Sequence, residues 1–140
     1  MTAFKLTVTG KAAPKSVTFT RYGNYNNKRV RSWMDFVRDT VRVEQAQQRF
    51  SEGDYIVPPG VPAGIMVDVY LPWPKNTPKK QASSDGAHVQ KPDADNLLKP
   101  IMDALSEAGL WEDDNQVDRI FLQKWRCPIG QERAEITVSW

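Results

Sequence analysis

The chain has 140 residues, 40% of them hydrophobic, and a formal net charge of +2. This length suits a single domain, here residues 1–140, and no apolar run reaches the roughly 18 residues of a membrane-spanning helix. One cysteine, Cys127, and one histidine, His88, exclude a disulfide framework and a Cys/His zinc site within one chain. The N-terminus lacks the pattern of a secretory signal, so we expect a cytoplasmic protein.

The charge is distributed unevenly along the chain. Residues 1–50 contain ten Lys/Arg and three Asp/Glu, whereas residues 51–140 contain nine and fourteen. Within 93–118, eight acids accompany a single base, Lys99. Such a distribution indicates either a protein that attracts a polyanion with one part and binds cations with another, or surface charge that segregates without a function.

The N-terminal half predicts a strand, a loop or hairpin, and a helix. Residues 4–10 alternate apolar and polar side chains, as in a half-buried strand, and residues 11–29 are basic and rich in Asn and aromatics. From Val30 the apolar residues follow a helical period and predict an amphipathic helix. The apolar face of that helix consists of Val30, Trp33, Met34, Val37 and Val41.

A stripe of arginines follows a second face of this helix. It consists of Arg31, Arg38, Arg42 and Arg49. Arginines in this arrangement form either a solvated helix face or a surface that contacts nucleic acid.

The C-terminal half predicts a central strand, a mobile loop, a helix and two strands. Residues 64–73 are apolar and β-branched, whereas residues 74–92 have no periodicity and are rich in Pro, Ser, Lys and Gly. Residues 95–108 predict a helix that ends at Gly109. We expect 117–127 and 133–140 to form a hairpin, and the fold to be α+β, with two helices packed on a mixed β-sheet.

Acidic residues cluster at both ends of the second helix. Asp93 and Asp95 are spaced by two at its start, so both carboxylates can point into one concavity. Mg²⁺ usually takes one or two protein carboxylates, and Asp113 or Asp114 could add another from the turn after the helix. The structural alternative makes Asp95 an N-cap, gives Asp93 a favourable place at the helix dipole, and leaves the later pair as turn residues.

Lys99 lies four residues after Asp95 and four before Asp103. This spacing allows two ion pairs, or it places a cation beside a metal-binding acid cluster, the combination that phosphodiester hydrolysis requires. We assign Asp103 to pairing with Lys99, outside the metal site. Pro100 predicts either a kink or a tighter first turn over residues 93–98.

Residues 91–117, "KPDADNLLKPIMDALSEAGLWEDDNQV", resemble the signature of RusA-type Holliday junction resolvases. The shared pattern is Asp-x-Asp-Asn-Leu, a lysine, Asp-Ala-Leu, a glycine, and Trp-x-Asp-Asp-x-Gln-Val. His88 and Lys91 match a common lead-in, and the order of predicted elements agrees over nearly the whole chain.

The resemblance implies a homodimer that nicks four-way junction DNA symmetrically during recombination and repair, often encoded by phages or prophages. Its cofactor would be Mg²⁺, with Mn²⁺ able to substitute, and it would need neither a membrane nor a small-molecule cofactor. The catalytic acids would be Asp93, Asp95 and Asp114, with Lys99 as the essential base and Asp113 as an accessory acid.

We expect DNA backbone contacts from basic residues of the first helix and the mobile loop. These are Arg31, Arg38, Arg42, Lys79, Lys80 and Lys91. Three alternatives remain open: a nuclease that prefers flaps or forks, a DNA-binding protein without cleavage activity, and a structural protein whose acids only cap and solvate.

Overall fold

A computed structural model describes residues 1–15, 17–20, 23–26, 28–48, 50 and 54–140, with the backbone alone for 17–20 and 23–26. The predicted stripe residue Arg49 lies outside these residues. The strands are β1 (Ala3–Thr9), β2 (Val17–Thr20), β3 (Gly23–Asn26), β4 (Ala63–Pro72), β5 (Gly86–Ala87), β6 (Val117–Cys127) and β7 (Arg133–Ser139). The helices are α1 (Lys28–Gln47), α2 (Lys79–Ala82) and α3 (Ala94–Glu107), with a 3₁₀ turn over Asp114–Gln116. None of the described helices has the length and apolarity to cross a membrane.

The main sheet has five strands in the order β1-β7-β4-β6-β5, and β2 pairs with β3 in a separate antiparallel pair. The prediction of a central strand near 64–73 is confirmed, because β4 lies in the middle of the sheet. The predicted hairpin of the last two strands is wrong: β4 lies between them, parallel to β6 and antiparallel to β7. The most apolar strand takes the central position, and the connection 128–132 can span the roughly 10 Å that two strand spacings require.

The helices α1 and α3 cover one face of this sheet. All five predicted apolar residues of α1 are buried. They pack with Leu97, Ile101 and Leu105 of α3 and with alternate residues of β1, β4 and β7 in one hydrophobic core. The α+β fold with helices on a mixed sheet is therefore confirmed.

Helix α3 runs without interruption through Pro100, so the predicted tight turn over 93–98 is wrong. A proline supplies no N–H to the carbonyl four residues earlier, which here belongs to Asn96. The backbone N–H of Lys15 donates to that carbonyl instead, at 2.7 Å. The proline thereby opens a bonding position that holds the basic segment after β1 against the start of α3.

The end of α3 confirms the prediction at Gly109, which has φ +78°. Its N–H donates to the carbonyl of Ser106, and the N–H of Leu110 donates to that of Leu105, both at 3.1 Å. This pair of bonds is the Schellman motif, which reverses the chain after a helix. The reversal buries Trp111, whose indole N–H donates to Ser106 Oγ at 2.7 Å.

The segment 74–92 contains regular structure, so its prediction as a loop without secondary structure is wrong. It forms the single turn α2 and the short strand β5, in which Gly86 pairs with Arg126 of β6. Trp73 donates from its indole to the carbonyl of Ser84 at 2.8 Å. A side chain at Gly86 would collide with this indole, since a Cβ there would lie 2.6 Å from a ring carbon. The mobility of the segment stays a prediction.

Candidate functional site

Two carboxylates project from the start of α3 without a hydrogen bond or ion pair to any described residue. Asp93 occupies the N-cap position with an extended backbone, so the prediction that Asp95 is the N-cap is wrong. Asp95 follows in the first helical turn, and both side chains are exposed. Within the described residues, neither carboxylate accepts a hydrogen bond or forms an ion pair, including the capping bond that an N-cap aspartate ordinarily makes. Both acids therefore remain available to a ligand.

Lys99 lies one helical turn further along α3 and contacts Asp103. Its Nζ is 2.9 Å from Asp103 Oδ1, as predicted, whereas no ion pair with Asp95 forms among the described residues. The hydrogen bond with Asp103 raises the pKa of Lys99, and the negative charge of Asp114 raises it further. Asp114 therefore lies close enough to act on the ammonium, across the space between α3 and the following turn.

The acidic turn after α3 uses most of its polar groups locally. Asp113 accepts a hydrogen bond from the N–H of Asn115 at 2.9 Å, and Gln116 Oε1 accepts from the N–H groups of Glu112 and Asp113 at 3.1 and 3.3 Å. These contacts form a capping box at the start of the 3₁₀ turn. Asp113 thus has a structural role, while Asp114 is half-buried and its negative charge contributes to the raised pKa of Lys99.

Gln116 also fixes this turn to the preceding loop. Its Nε2 donates to the carbonyls of Pro58 and Val61 at 2.9 and 3.1 Å. The amide therefore bonds on both sides, as acceptor within the turn and as donor across to residues 55 positions or more earlier in the chain. This double use gives the glutamine of the Trp-x-Asp-Asp-x-Gln-Val pattern a structural explanation.

An acidic cavity of about 460 Å³ opens between α1, the end of α3 and this turn. Arg31 at its wall bonds Glu107 through both Nη atoms, at 2.6 and 3.0 Å, and pairs with Asp35. The bond to Glu107 raises the pKa of the guanidinium and lowers that of the Glu107 carboxyl. Arg31 therefore ties α1 to α3, whatever its part in DNA binding.

The other basic residues predicted to contact DNA differ in their surroundings. Arg38 pairs with Asp35 at 3.1 Å and with Asp39 at 3.3 Å. The remaining four are exposed and form no ion pair with a described residue: Arg42, Lys79, Lys80 and Lys91. These four present their full charge to an approaching polyanion.

The donor atoms at the start of α3 fit a hard divalent cation by type. Carboxylate oxygens are the ligands that Mg²⁺ prefers, and it usually completes its shell with water and phosphate oxygens. Asp93 and Asp95 offer such oxygens without losing a structural bond. Among the described residues, however, no three Asp, Glu, His or Cys side chains stand close enough together to form a complete metal-binding group. Two acids plus external ligands fit the structure better than a preformed cage.

The segment leading to Asp93 is held by residues that the sequence pattern did not bring to attention. Lys124 Nζ donates to the carbonyls of Gln90 and Pro92 at 2.7 and 2.9 Å. Arg126 donates to Gln90 Oε1 and to the carbonyl of Pro72, both at 2.8 Å. Their position in β6 could have identified them, because the alternation of the strand predicts apolar side chains at these positions, on the face that the helices cover.

His88 also supports the segment that leads to Asp93. Its side chain is 5% exposed, and its Nδ1 accepts a hydrogen bond from the N–H of Gln90 at 3.2 Å. Burial lowers the pKa of the imidazole to about 4, and the positive charges of Arg126 and Lys124 act in the same direction. The ring is therefore neutral at pH 7 and serves as an acceptor for the turn.

A sequence model of the family described as "Endodeoxyribonuclease RusA" matches residues 6–139. No curated protein matches the chain significantly. The family match includes all the described strands from β2 to β6, both acidic turns and the segment held by Lys124. It confirms the resemblance drawn from residues 91–117.

Proposed function

The chain belongs to the RusA family of endodeoxyribonucleases, and on that premise we propose that it resolves Holliday junctions by paired, symmetric nicks as a Mg²⁺-dependent homodimer. The observation that carries the proposal is the start of α3, where Asp93 and Asp95 have no structural partner among the described residues. The helix dipole favours both carboxylates there, and because neither accepts a hydrogen bond or forms an ion pair with a described residue, both are free to bind a cation.

The cation would be held by Asp93 and Asp95, joined by Asp114 when substrate closes the site. A bound Mg²⁺ supplies neutralisation of the phosphate charge and a more acidic water. The N–H groups of the first helical turn have no partner within the helix and favour a nearby phosphate oxygen. The carboxylates thus attract the cation, and the backbone N–H groups attract the phosphate that the cation accompanies.

Lys99 acts as a cation toward the phosphoryl group that is cleaved. Its pKa is raised by Asp103 and Asp114, so the ammonium keeps its proton at neutral pH. A protonated lysine stabilises the charge that develops on the phosphoryl oxygens or on the leaving 3′ oxygen. It does not accept the proton of the attacking water.

DNA binding draws on the exposed basic residues near this site. Lys91 lies two residues before Asp93, and Lys79 and Lys80 lie on α2 in the same segment. Contacts between such residues and phosphates release counterions, so junction affinity falls steeply with salt. Paired cuts related by a two-fold axis require two active sites, which a symmetric dimer supplies.

The first test of this function is Asp95→Asn assayed on a synthetic four-way junction. Cleavage in Mg²⁺ should fall at least about 1000-fold, the loss of roughly 4 kcal/mol of transition-state stabilisation. Junction affinity in EDTA should stay within about twofold, since the change removes no positive charge. Gel-based cleavage rates and equilibrium binding with the same substrate measure both quantities.

Asp39→Asn is the matched control, because it removes the same charge from an exposed position on α1. It should leave cleavage unchanged. Equal cleavage by wild type and Asp95→Asn would contradict the proposed site. Faster cleavage of flaps or forks than of four-way junctions favours a branched-DNA nuclease, and binding without cleavage in any divalent metal favours a non-catalytic protein.

A further inference from the structure

Two cationic side chains in β6 start from the face of the sheet that the helices cover. Paired residues of parallel neighbours point to the same side, and Lys124 pairs with Val69 while Arg126 pairs with Leu71. Val69 is 0% exposed and Leu71 4%. Lys124 and Arg126 are themselves half-buried, so part of each charge leaves water and hydrogen bonds have to offset that cost.

Both cations reach backbone and amide oxygens near the start of α3 and the end of β4. Lys124 donates to the carbonyls of Gln90 and Pro92, and Arg126 to Gln90 Oε1 and the carbonyl of Pro72. Within the described residues, neither cation has an acidic partner. Their charge is compensated by dipoles of the segment that immediately precedes Asp93.

That segment has few means of holding itself in place. Pro92 has no N–H, and the Asp93 side chain makes no capping bond within the described residues. Downstream, the carbonyl of Asp93 accepts a hydrogen bond from the N–H of Leu97 at 3.2 Å. Upstream, Arg126 and His88 bond Gln90, and Lys124 bonds the carbonyls of both Gln90 and Pro92, the latter directly before Asp93.

We propose that Lys124 is a positioning residue, whose ammonium fixes residues 90–92 and thereby orients Asp93 and Asp95 toward the bound cation. The proposal rests on the proposed function, since this orientation matters only if the two carboxylates hold a metal ion. The ammonium donates to the carbonyls of Gln90 and Pro92 together and so holds both at one position. Without it, water bonds these partly exposed carbonyls separately, and the turn before Asp93 loses this shared restraint.

Lys124→Met tests this directly, because methionine keeps an unbranched apolar stem and removes all three donors. Groups that orient metal ligands typically change metal affinity about 10–100-fold when lost. The Mn²⁺ concentration for half-saturation, measured by electron paramagnetic resonance on the protein alone, should therefore rise about tenfold or more. The Mg²⁺ concentration for half-maximal junction cleavage should rise in parallel, whereas junction affinity in EDTA should change no more than in a variant that loses a lysine charge elsewhere on the sheet.

Lys5→Met is the matched control, since it removes the same charge from β1 at the opposite edge of the sheet. Its Mn²⁺ half-saturation should equal that of wild type. Lys124→Arg restores donors and should bring half-saturation to within about threefold of wild type. Lys124→Gln, which has a shorter donor, should lie between arginine and methionine.

The outcomes separate this inference from the proposed function. If wild type neither binds Mn²⁺ nor cleaves in any divalent metal, the proposed function fails. If wild type responds but folded Lys124→Met has an unchanged half-saturation, the positioning role is wrong while the nuclease stands. Should Lys124→Met not fold, Lys124→Gln decides by the same criterion. Unfolding of all three variants would assign Lys124 to the stability of the whole domain and overturn the proposal.

Discussion

The two acidic turns at either end of α3 have similar composition and opposite construction. In the turn after the helix, Asp113 and Gln116 bond the local backbone in a capping box, and Gln116 also bonds residues 58 and 61. In the turn before the helix, Asp93 and Asp95 make no such bond within the described residues. An acid that stabilises its own turn is explained by folding, whereas an acid that stabilises nothing nearby points to a ligand.

The two turns also differ in what holds them. The later turn is held by its own side chains, so changing Asp113 removes a structural bond. The earlier turn is held from outside, by Lys124 and Arg126 of β6 and by the buried ring of His88. Asp93 and Asp95 can therefore be substituted without removing a bond that stabilises this turn. Changing Asp113 in the later turn should mainly lower stability, whereas changing a carboxylate of the earlier turn should mainly lower cleavage. Three substitutions test this expectation in addition to Asp95→Asn.

The largest expected effect on stability comes from the support beneath the first turn. The pKa of His88 is about 4 in the folded protein, below its usual 6.5, so the unfolded chain binds the proton more readily between these values. Stability present above about pH 6.5 is therefore lost as the pH falls toward 4, by up to about 3 kcal/mol. His88→Phe cannot titrate, so its unfolding free energy should fall less over this range.

Denaturant unfolding of both proteins at several pH values between about 7 and 4, without metal, measures this difference. The carboxylates of the protein contribute equally to the pH dependence of wild type and of His88→Phe, so they cancel in the comparison. Parallel curves would show that the His88 imidazole is solvated and that the first turn is not supported by a neutral ring.

A smaller effect is expected at the capping box of the second turn. Asp113→Ala removes the acceptor for the Asn115 N–H and should cost about 1 kcal/mol, as is usual for an N-cap aspartate. Cleavage at saturating Mg²⁺ should stay within about threefold, a change of less than about 1 kcal/mol in the barrier. The measurements are chemical denaturation and single-turnover cleavage.

The comparison between the turns breaks if Asp113→Ala behaves like Asp95→Asn. Cleavage that falls about 100-fold or more at unchanged stability would make Asp113 a metal ligand, as its interpretation as an accessory acid allows. Asp118→Ala is the control, because Asp118 lies close by in sequence and pairs with the exposed Arg119.

The sequence predicts local features of this protein well. The period of the apolar residues identified the buried face of α1, and Gly109 marked the end of α3, because both depend on neighbours within a few positions. The family motif in 91–117 was also visible, because its residues are close together in the chain. These features require no knowledge of how distant segments pair.

The errors concern interactions between distant segments. The insertion of β4 between β6 and β7 joins residues as far apart in the chain as Gly64 and Ser139, which alternation alone cannot specify. Similarly, the contact of Lys124 with Pro92 links residues 32 positions apart. Asp113 is a local exception, because the Asp-x-x-Gln spacing of Asp113 and Gln116 is itself the sequence pattern of a capping box.

The smallest expected effect tests how Lys99 participates beside the first turn. Asp103→Asn removes the ion pair with Lys99 and should cost only about 0.3–0.5 kcal/mol of stability, because both groups are partly exposed. Asp103 is the main cause of the raised pKa of Lys99, so this pKa should fall in the variant.

If Lys99 acts as a cation, the alkaline limit of cleavage shifts to lower pH while the rate at pH 7 stays nearly constant, since Lys99 remains protonated there. If Lys99 instead accepted a proton, the variant would cleave faster at pH 7, because more of the lysine would be neutral. Cleavage rates of Asp103→Asn and wild type across a pH series therefore decide between the two roles, with Asp35→Asn as a control that removes an acid paired with two α1 arginines.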